Sequence, residues 1–427
     1  MLERLKQLVQ DDAAIRRVRR MQPAGGAGDK IAPPTYLSER RGEGSRHAFE
    51  HRRVGDAQVL SVLLDSVASQ ANRLEEALKD TLAKHNESVP TIAVDFTGRS
   101  IALSIEGDSK NSKVVVGKGE PFDLSDLGML TSLDVPHRVF DALFRDSQLV
   151  EDGKPVPFRD SKVFARLRTA RPQNATELFG ISPTALLFGA WDSTGTGGGL
   201  GAKFARSITS EVVGFNVAGE PHRVNDSEVE YRPDGKRVGS RLDPIGIRRD
   251  ARVVGGAGDW QIATGAEKGQ LKPSEVNHSN IPPTITTAGV SVDFVRHTVV
   301  LSFASLRRLR FPGTSSDAAG HAVLAALGLL AVLAQDHVGY ALRSRCDLVP
   351  DGPATFELVH SDGTTEPFEL DLPGAMQLYR DTVEAARASN YPWSKNPLML
   401  APQEKLVQLI ALSRARALEG ETEGDAE

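Results

Sequence analysis

One cysteine, Cys346, stands in 427 residues. It excludes an internal disulfide framework and any multi-cysteine zinc site, and it points to a reducing cytoplasm. No apolar run is long enough to span a bilayer. The longest, residues 322–334, gives way to Gln335, Asp336 and His337 and is expected to be a buried helix. No export signal is visible either. Residues 1–20 carry Arg4, Lys6, Arg16, Arg17, Arg19 and Arg20 around no apolar core of signal length, so they read as an exposed helix. These absences together predict a soluble intracellular protein with no membrane partner.

There is also no overall excess of positive charge. The formal net charge is −5, which argues against nucleic-acid binding until its distribution is considered. Five carboxylates crowd into residues 419–427, a tail expected to be disordered. Elsewhere the cations cluster. Arg159, Lys162, Arg166, Arg168 and Arg171 share a short stretch with Phe158 and Phe164, against the single acid Asp160. Arg307, Arg308 and Arg310 precede Phe311. Phosphate binding needs local positive stripes, not a basic total; a solvated face is the competing use of each cluster.

Catalytic patterns are scarce. No G-x-S-x-G elbow is present. His47 and His51, four apart, suit a shared helix face, but Arg46, Arg52 and Arg53 make a poor setting for a metal, and none is expected. Asp134, His137, Asp141 and Asp146 lie close in sequence, either as an acid–base set or as salt-bridge partners of Arg138 and Arg145. The sharpest local feature is the glycine loop at 192–201, DSTGTGGGLG. Read as strand 184–191, flexible turn and helix 203–213, it makes an anion cradle from free first-turn N–H groups. It lacks the Gly-Lys-Ser/Thr of a Walker A loop, since Ala202 and Phe204 flank Lys203, and Leu200 spoils the dinucleotide fingerprint. A nucleotide triphosphatase and a nucleotide cofactor are therefore not expected. A tight structural turn and a nucleic-acid backbone contact remain as readings of the loop.

The wider pattern alternates strands and helices. A helical stripe at Val67, Ala71, Leu74, Ala77 and Leu78 marks helix 65–82, capped by Asp65 or Ser66. Strands are expected at 91–96 and 100–105, and a short helix at 136–144 starting on Pro136. Residues 216–285, rich in Gly, Pro, Arg and Asp, read as a long insertion. Strands at 290–294 and 298–303, helix 317–336 and strand 339–345 follow. This α+β succession suits a ferredoxin-like sheet with helices on one side.

Several stretches resemble a known family: GDKIAPPTY (28–36), LLDSVASQANRLEEAL (63–78), TSLDVPHRVFDALFRDS (131–147), NATELFGISPTALLFGAWDSTGTGGGLGAKFARSITSEVVG (174–214), GSRLDP (239–244) and GYALRSRCDLVP (339–350). The chain is similar there to the Cas seven-type backbone subunit of the type I-U/I-G CRISPR Cascade, in the RAMP superfamily. The resemblance implies an RNA-recognition-motif palm made of residues 21–90, 175–215 and 286–372, with a finger or thumb insertion at 91–174 and a second insertion at 216–285. An N-terminal helical extension (1–20) and a C-terminal helix with acidic tail (373–427) lie outside it. It further implies a non-enzymatic, cytoplasmic protein whose copies line up on a CRISPR guide RNA. The other partners it implies are target DNA, reached through the guide, and further Cascade subunits.

A guide must be free to vary, so its holder contacts phosphates and 2′-hydroxyls and leaves base edges exposed. The residues expected to do so are Lys30, Asn72, Arg73, Arg138, Lys162, Arg166, Arg168, Ser193, Gly197, Gly198, Gly199, Lys203, Arg206 and Arg241, with a salt bridge as the rival role of each arginine. Gln70 is a further neutral donor. Two other functions stay open. One is a transcript-trimming endoribonuclease with His137 as base; the other is a metabolic enzyme binding phosphate on the glycine loop.

Overall fold

The arginine-rich start of the chain is only half helical. In the computed structural model a helix, α1 (Leu2–Asp11), ends at Asp12, and Ala14–Pro23 forms a strand, β1. Along β1, Ile15, Arg17 and Met21 are buried while Arg16, Val18 and Arg20 are exposed. That period of two is a strand's, and it overrides the expectation of one helix over 1–20. The structure describes residues 1–37, 47–106, 113–192, 203–218 and 289–423. Within 219–288 it describes 220–225, 228–232, 236–241, 245, 247, 250–256, 259–265, 268–276 and 281–287.

The chain divides into two compact units. The first comprises Met1–Thr97, Leu127–Tyr231 and Gly289–Gln403. It is built on a nine-stranded sheet. In chain order the other eight strands are β2 (Phe49–Val54), β3 (Ala57–Asp65), β4 (Ile208–Phe215), β5 (Phe294–Ser302), β6 (Tyr340–Arg343), β7 (Cys346–Pro350), β8 (Phe356–Val359) and β9 (Thr365–Phe368). Their spatial order is β2-β3-β4-β5-β1-β7-β6, with β8 also alongside β1 and β9 beyond it, and the pairings are antiparallel. This is an α+β architecture. One difference from the sequence reading is that β5 runs unbroken through Arg296 and His297, where a turn was expected. Its residues alternate between buried and half-buried along the whole strand, so one face is in the core throughout.

Helices cover one face of this sheet. Helix α2 (Val67–Lys84) starts at Ser66, whose hydroxyl accepts the N–H of Ser69, and buries Ala71, Leu74, Ala77, Leu78 and Leu82. Each buried leucine contributes about 1.5–3 kcal/mol. Helix α3 (Asp317–Val338) is apolar all round because it is enclosed, with 83% of its most apolar stretch buried. It is long and apolar enough to cross a membrane by length and composition, but here it is the core helix of the unit. Gly339, at φ 98°, ends it in a conformation that favours glycine. Helix α4 (Leu372–Ala388) packs against α3. A second sheet, in the order Met129–Thr131, Ile92–Asp95, Leu398–Pro402, Ser147–Glu151 and Lys154–Pro157, completes this unit.

The second unit comprises Gly98–Asp126, Arg232–Ala288 and Glu404–Glu427. A hairpin of Ser100–Glu106 and Lys113–Asp123 packs Leu103, Ile101 and Phe122 against Ala411 and Ala415 of a helix spanning Glu404–Glu423. Arg414 of that helix grips Asp126 through two 2.8 Å hydrogen bonds. The start of the acidic tail thus continues a helix; residues 424–427 lie outside the described ones. Two further antiparallel strand pairs, Lys236–Arg241 with Ile281–Thr287 and the hairpin Val253–Gly256 with Asp259–Ile262, also belong here.

Candidate nucleic-acid interface

Residues flanking the glycine loop fold differently from the strand–loop–helix expected. Pro183–Phe188 is a short, wholly buried helix with Pro183 in its first turn. After it, Ala190–Trp191 pairs antiparallel with Lys203–Phe204, and the chain enters strand β4. Ile208, Thr209, Val212 and Val213 are β-branched and favour that strand over a helix. Lys203 therefore sits on a narrow ribbon with Arg206 two residues beyond its end, and the element that follows is a strand where a helix was expected. Ser193, Gly197, Gly198 and Gly199, in the connection of that ribbon, lie outside the described residues.

The ribbon is anchored from below. Gly189, at φ 84°, lets the chain leave the helix, and a Cβ there would come within 3.1 Å of the Phe204 carbonyl oxygen. Its own carbonyl accepts a hydrogen bond from Arg138 Nη1 at 3.1 Å. The same guanidinium binds Glu75 of α2 bidentately, at 2.8 and 2.5 Å, with both side chains almost fully buried. Burial pushes the Glu75 carboxyl up to about 7, while the Arg138 contacts pull it down. Arg138 itself has φ 51°, rare for a non-glycine residue, in a 3-10 turn that replaces the expected helix start at Pro136. A strained backbone and a buried ion pair are costly, and both converge beneath the ribbon.

Above them lies a concavity of about 340 Å³ lined by Pro136, His137 and Arg138, by Gly189 to Trp191, and by Lys203 to Arg206. Trp191 is 51% exposed, and the Lys203 ammonium stands 5.6 Å from its ring centroid. Lys203 and Arg206 are exposed and form no ion pair among the described residues. An exposed indole, two cations and an imidazole around one hollow can hold a strand by stacking on a base and contacting its phosphates.

Other expected contacts are spent internally or lie elsewhere. Arg73 donates to Asp65 at 3.0 Å and to the Leu342 carbonyl, so its partner is Asp65 and not the neighbouring Glu76. Gln70 bridges Asp65 and Ser210 inside the core. Asn72 is exposed on α2, and Lys30 is half-buried, its backbone N–H donating to the Asp29 side chain. Lys162, Arg166 and Arg168 share the short helix Lys162–Arg168, where Lys162 meets Asp152 and Arg166 meets Glu177; none lines the hollow. Arg241 lies on a strand of the second unit, its side chain outside the described ones. The second basic cluster is a joint: Arg307 donates to the carbonyls of Val9 and Asp12, and Arg310 to Asp317.

The acidic candidates are also engaged. Asp134 accepts from Lys79 and Thr131, while Asp141 caps the turn at Leu143 and accepts from the His137 amide. Arg138 is paired with Glu75 and not with either of these acids. His47 and His51 share no helix, since His51 lies in β2 and the His47 ring contacts the Pro34 carbonyl. Sequence reasoning missed Trp191 and Glu75. The first was legible as an aromatic directly preceding a glycine loop; the second carried no local signal, because its partner is 63 residues away.

Residues 15–219 match the model of a family described as CRISPR-associated protein GSU0053. The match covers just under half of the chain, from β1 through β4, and includes Glu75, Arg138, Trp191, Lys203 and Arg206. The comparison with curated proteins gives no match. Over this segment the chain is therefore similar to a CRISPR-associated family, and the segment is the one that carries the hollow.

Proposed function

We propose that this chain serves CRISPR defence as a guide-RNA-binding backbone subunit of a type I-U/I-G Cascade, working without chemistry of its own. The observation that carries the reading is the convergence of Trp191, Lys203, Arg206 and His137 on one hollow at the foot of the glycine loop. These groups suit phosphates and the π-face of any base, which is what holding a variable sequence demands. In this reading the antiparallel sheet with α2 and α3 is an RNA-recognition-type palm, and copies of the chain line up on one guide. The partners are then target DNA, met through the guide, and other Cascade subunits.

Co-expression with a CRISPR array is the direct test. A discrete assembly carrying RNA of uniform length is expected, whereas the chain alone gives a polydisperse protein. A clean, nucleic-acid-free monomer in both settings, measured by light scattering and absorbance, sinks the reading. Cleavage of repeat RNA that disappears in His137→Ala would instead favour the transcript-trimming endoribonuclease, since His137 lines the same hollow.

A further inference from the structure

The sheet has a second face, opposite α2 and α3, which the proposed guide site does not use. Directly paired residues share a face, so the register puts Phe215 beside Phe294, and Val213, Arg296 and Arg20 in one row. Phe215 and Phe294 lie parallel to within 3°, their centroids 5.0 Å apart. The guanidinium of Arg296 sits 4.2 Å above the Phe215 ring, and that of Arg20 sits 4.5 Å above Phe294. Thr209 and Thr298 follow along the same face. Its surface is open: the side chain of Arg20 is 57% exposed and Val18 is 49% exposed.

Most cations here have acids beside them. Arg52 holds Glu50 and Glu211, Arg16 holds Glu357, and Arg20 reaches Asp351 at 3.4 Å. Arg296 makes no ion pair among the described residues; burial makes its charge less favourable, the neighbouring Arg52 adds to that, and Glu211, already held by Arg52, offsets only part of it. An incoming anion would relieve that crowding. The apolar groups that could anchor a protein are few: the phenyl rings lie under the arginines, leaving Val18 and Val349 as the exposed ones. Guanidinium planes held over aromatic rings are, by contrast, platforms for unpaired bases.

We propose that this sheet face binds a single-stranded nucleic acid, with bases stacked on Arg296 and Arg20 and a phosphate against Arg296. The site is separate from the Trp191 hollow and does not depend on the guide-RNA reading. To test it, the full chain freed of nucleic acid is titrated with labelled thymidine and uridine homopolymers, followed by fluorescence anisotropy. Arg20→Ala with Arg296→Ala should weaken binding at least about tenfold. Arg20→Lys with Arg296→Lys should keep the salt dependence but lose part of the affinity, because a lysine supplies charge without a stacking plane. In a Trp191→Ala, Lys203→Ala background the same losses should persist.

Unchanged affinity in both double variants, with melting temperatures equal to the parent's, overturns the proposal. So does an arginine effect that vanishes in the Trp191→Ala, Lys203→Ala background, since all binding would then run through the hollow. A concentration-dependent dimer abolished by Arg296→Ala, with no change in strand binding, would assign the face to a second copy of the chain and likewise refute it.

Discussion

Lys203→Ala combined with Arg206→Ala separates a binding role from a structural one. Both side chains are exposed, neither holds an ion pair among the described residues, and both line the hollow. Their removal should therefore change unfolding free energy by no more than about 0.5 kcal/mol. If each meets a phosphate of a single strand, the slope of log affinity against log salt should fall by about 0.7 per contact, or about 1.4 for the pair. The loss should be the same for unrelated guide sequences, because phosphates carry no sequence information. Trp191→Ala is the complementary change. Stacking is worth about 1–3 kcal/mol per base, so affinity should drop about 5- to 150-fold with the salt slope intact. Titrations of two unrelated guides at several salt concentrations read both quantities together. An unchanged slope in the double variant would refute the phosphate assignment, and a Trp191→Ala protein that binds like the parent would remove the stacking role.

Arg138→Met leaves Glu75 buried without its partner and should cost about 3–5 kcal/mol of stability in urea unfolding; the cost should shrink when Glu75→Gln is added, and a loss under 1 kcal/mol would show that the pair is not the anchor. Gly189→Ala forces a side chain into φ 84° against Phe204, so a cost of about 1–3 kcal/mol is expected together with altered Trp191 fluorescence. His297 gives a pH test. Its full burial and the nearby Arg17 hold its pKa down to about 3, against an ordinary 6.5. Between those values the unfolded chain binds the proton and the folded one does not, so stability should fall on acidification from about pH 6.5 towards 3, by up to about 1.4 kcal/mol per pH unit. His297→Gln should flatten that slope in urea titrations across the window; an identical slope would mean other groups dominate.

Periodicity predicted what it could see. The apolar stripe on α2 and the long apolar run of α3 stand out because one face, or all of them, is buried over many residues. Lys203 and Arg206 were legible as cations following the glycine-rich stretch, though not the short helix and ribbon that flank it. Two kinds of information were not local. The arginines of β1 look like a solvated helix until Asp336, more than three hundred residues away, is brought to Arg17 and Arg19. A buried arginine reads as surface in any window that lacks its partner. Likewise 184–191 reads as a strand because it is apolar throughout, and a short buried helix has the same composition.

The same reasoning explains why the hollow is built as it is. A glycine-rich connection costs more to order than any other sequence, so its ends must be fixed by something rigid. Here the two-residue ribbon of Ala190–Trp191 and Lys203–Phe204 is too short to hold itself. It is fixed instead by Arg138, which ties the Gly189 carbonyl to Glu75 on α2. The buried pair adds little net stability compared with apolar side chains of similar size. What it supplies is direction, because a guanidinium with both partners satisfied can face only one way. Replacing Glu75 and Arg138 together by leucine and methionine should therefore leave the fold stable while loosening the ribbon. Melting temperature and the anisotropy decay of Trp191 measure the two effects separately. Retained stability with faster indole motion and weaker strand binding is the expected outcome; unchanged Trp191 motion would show that the ribbon needs no such tie.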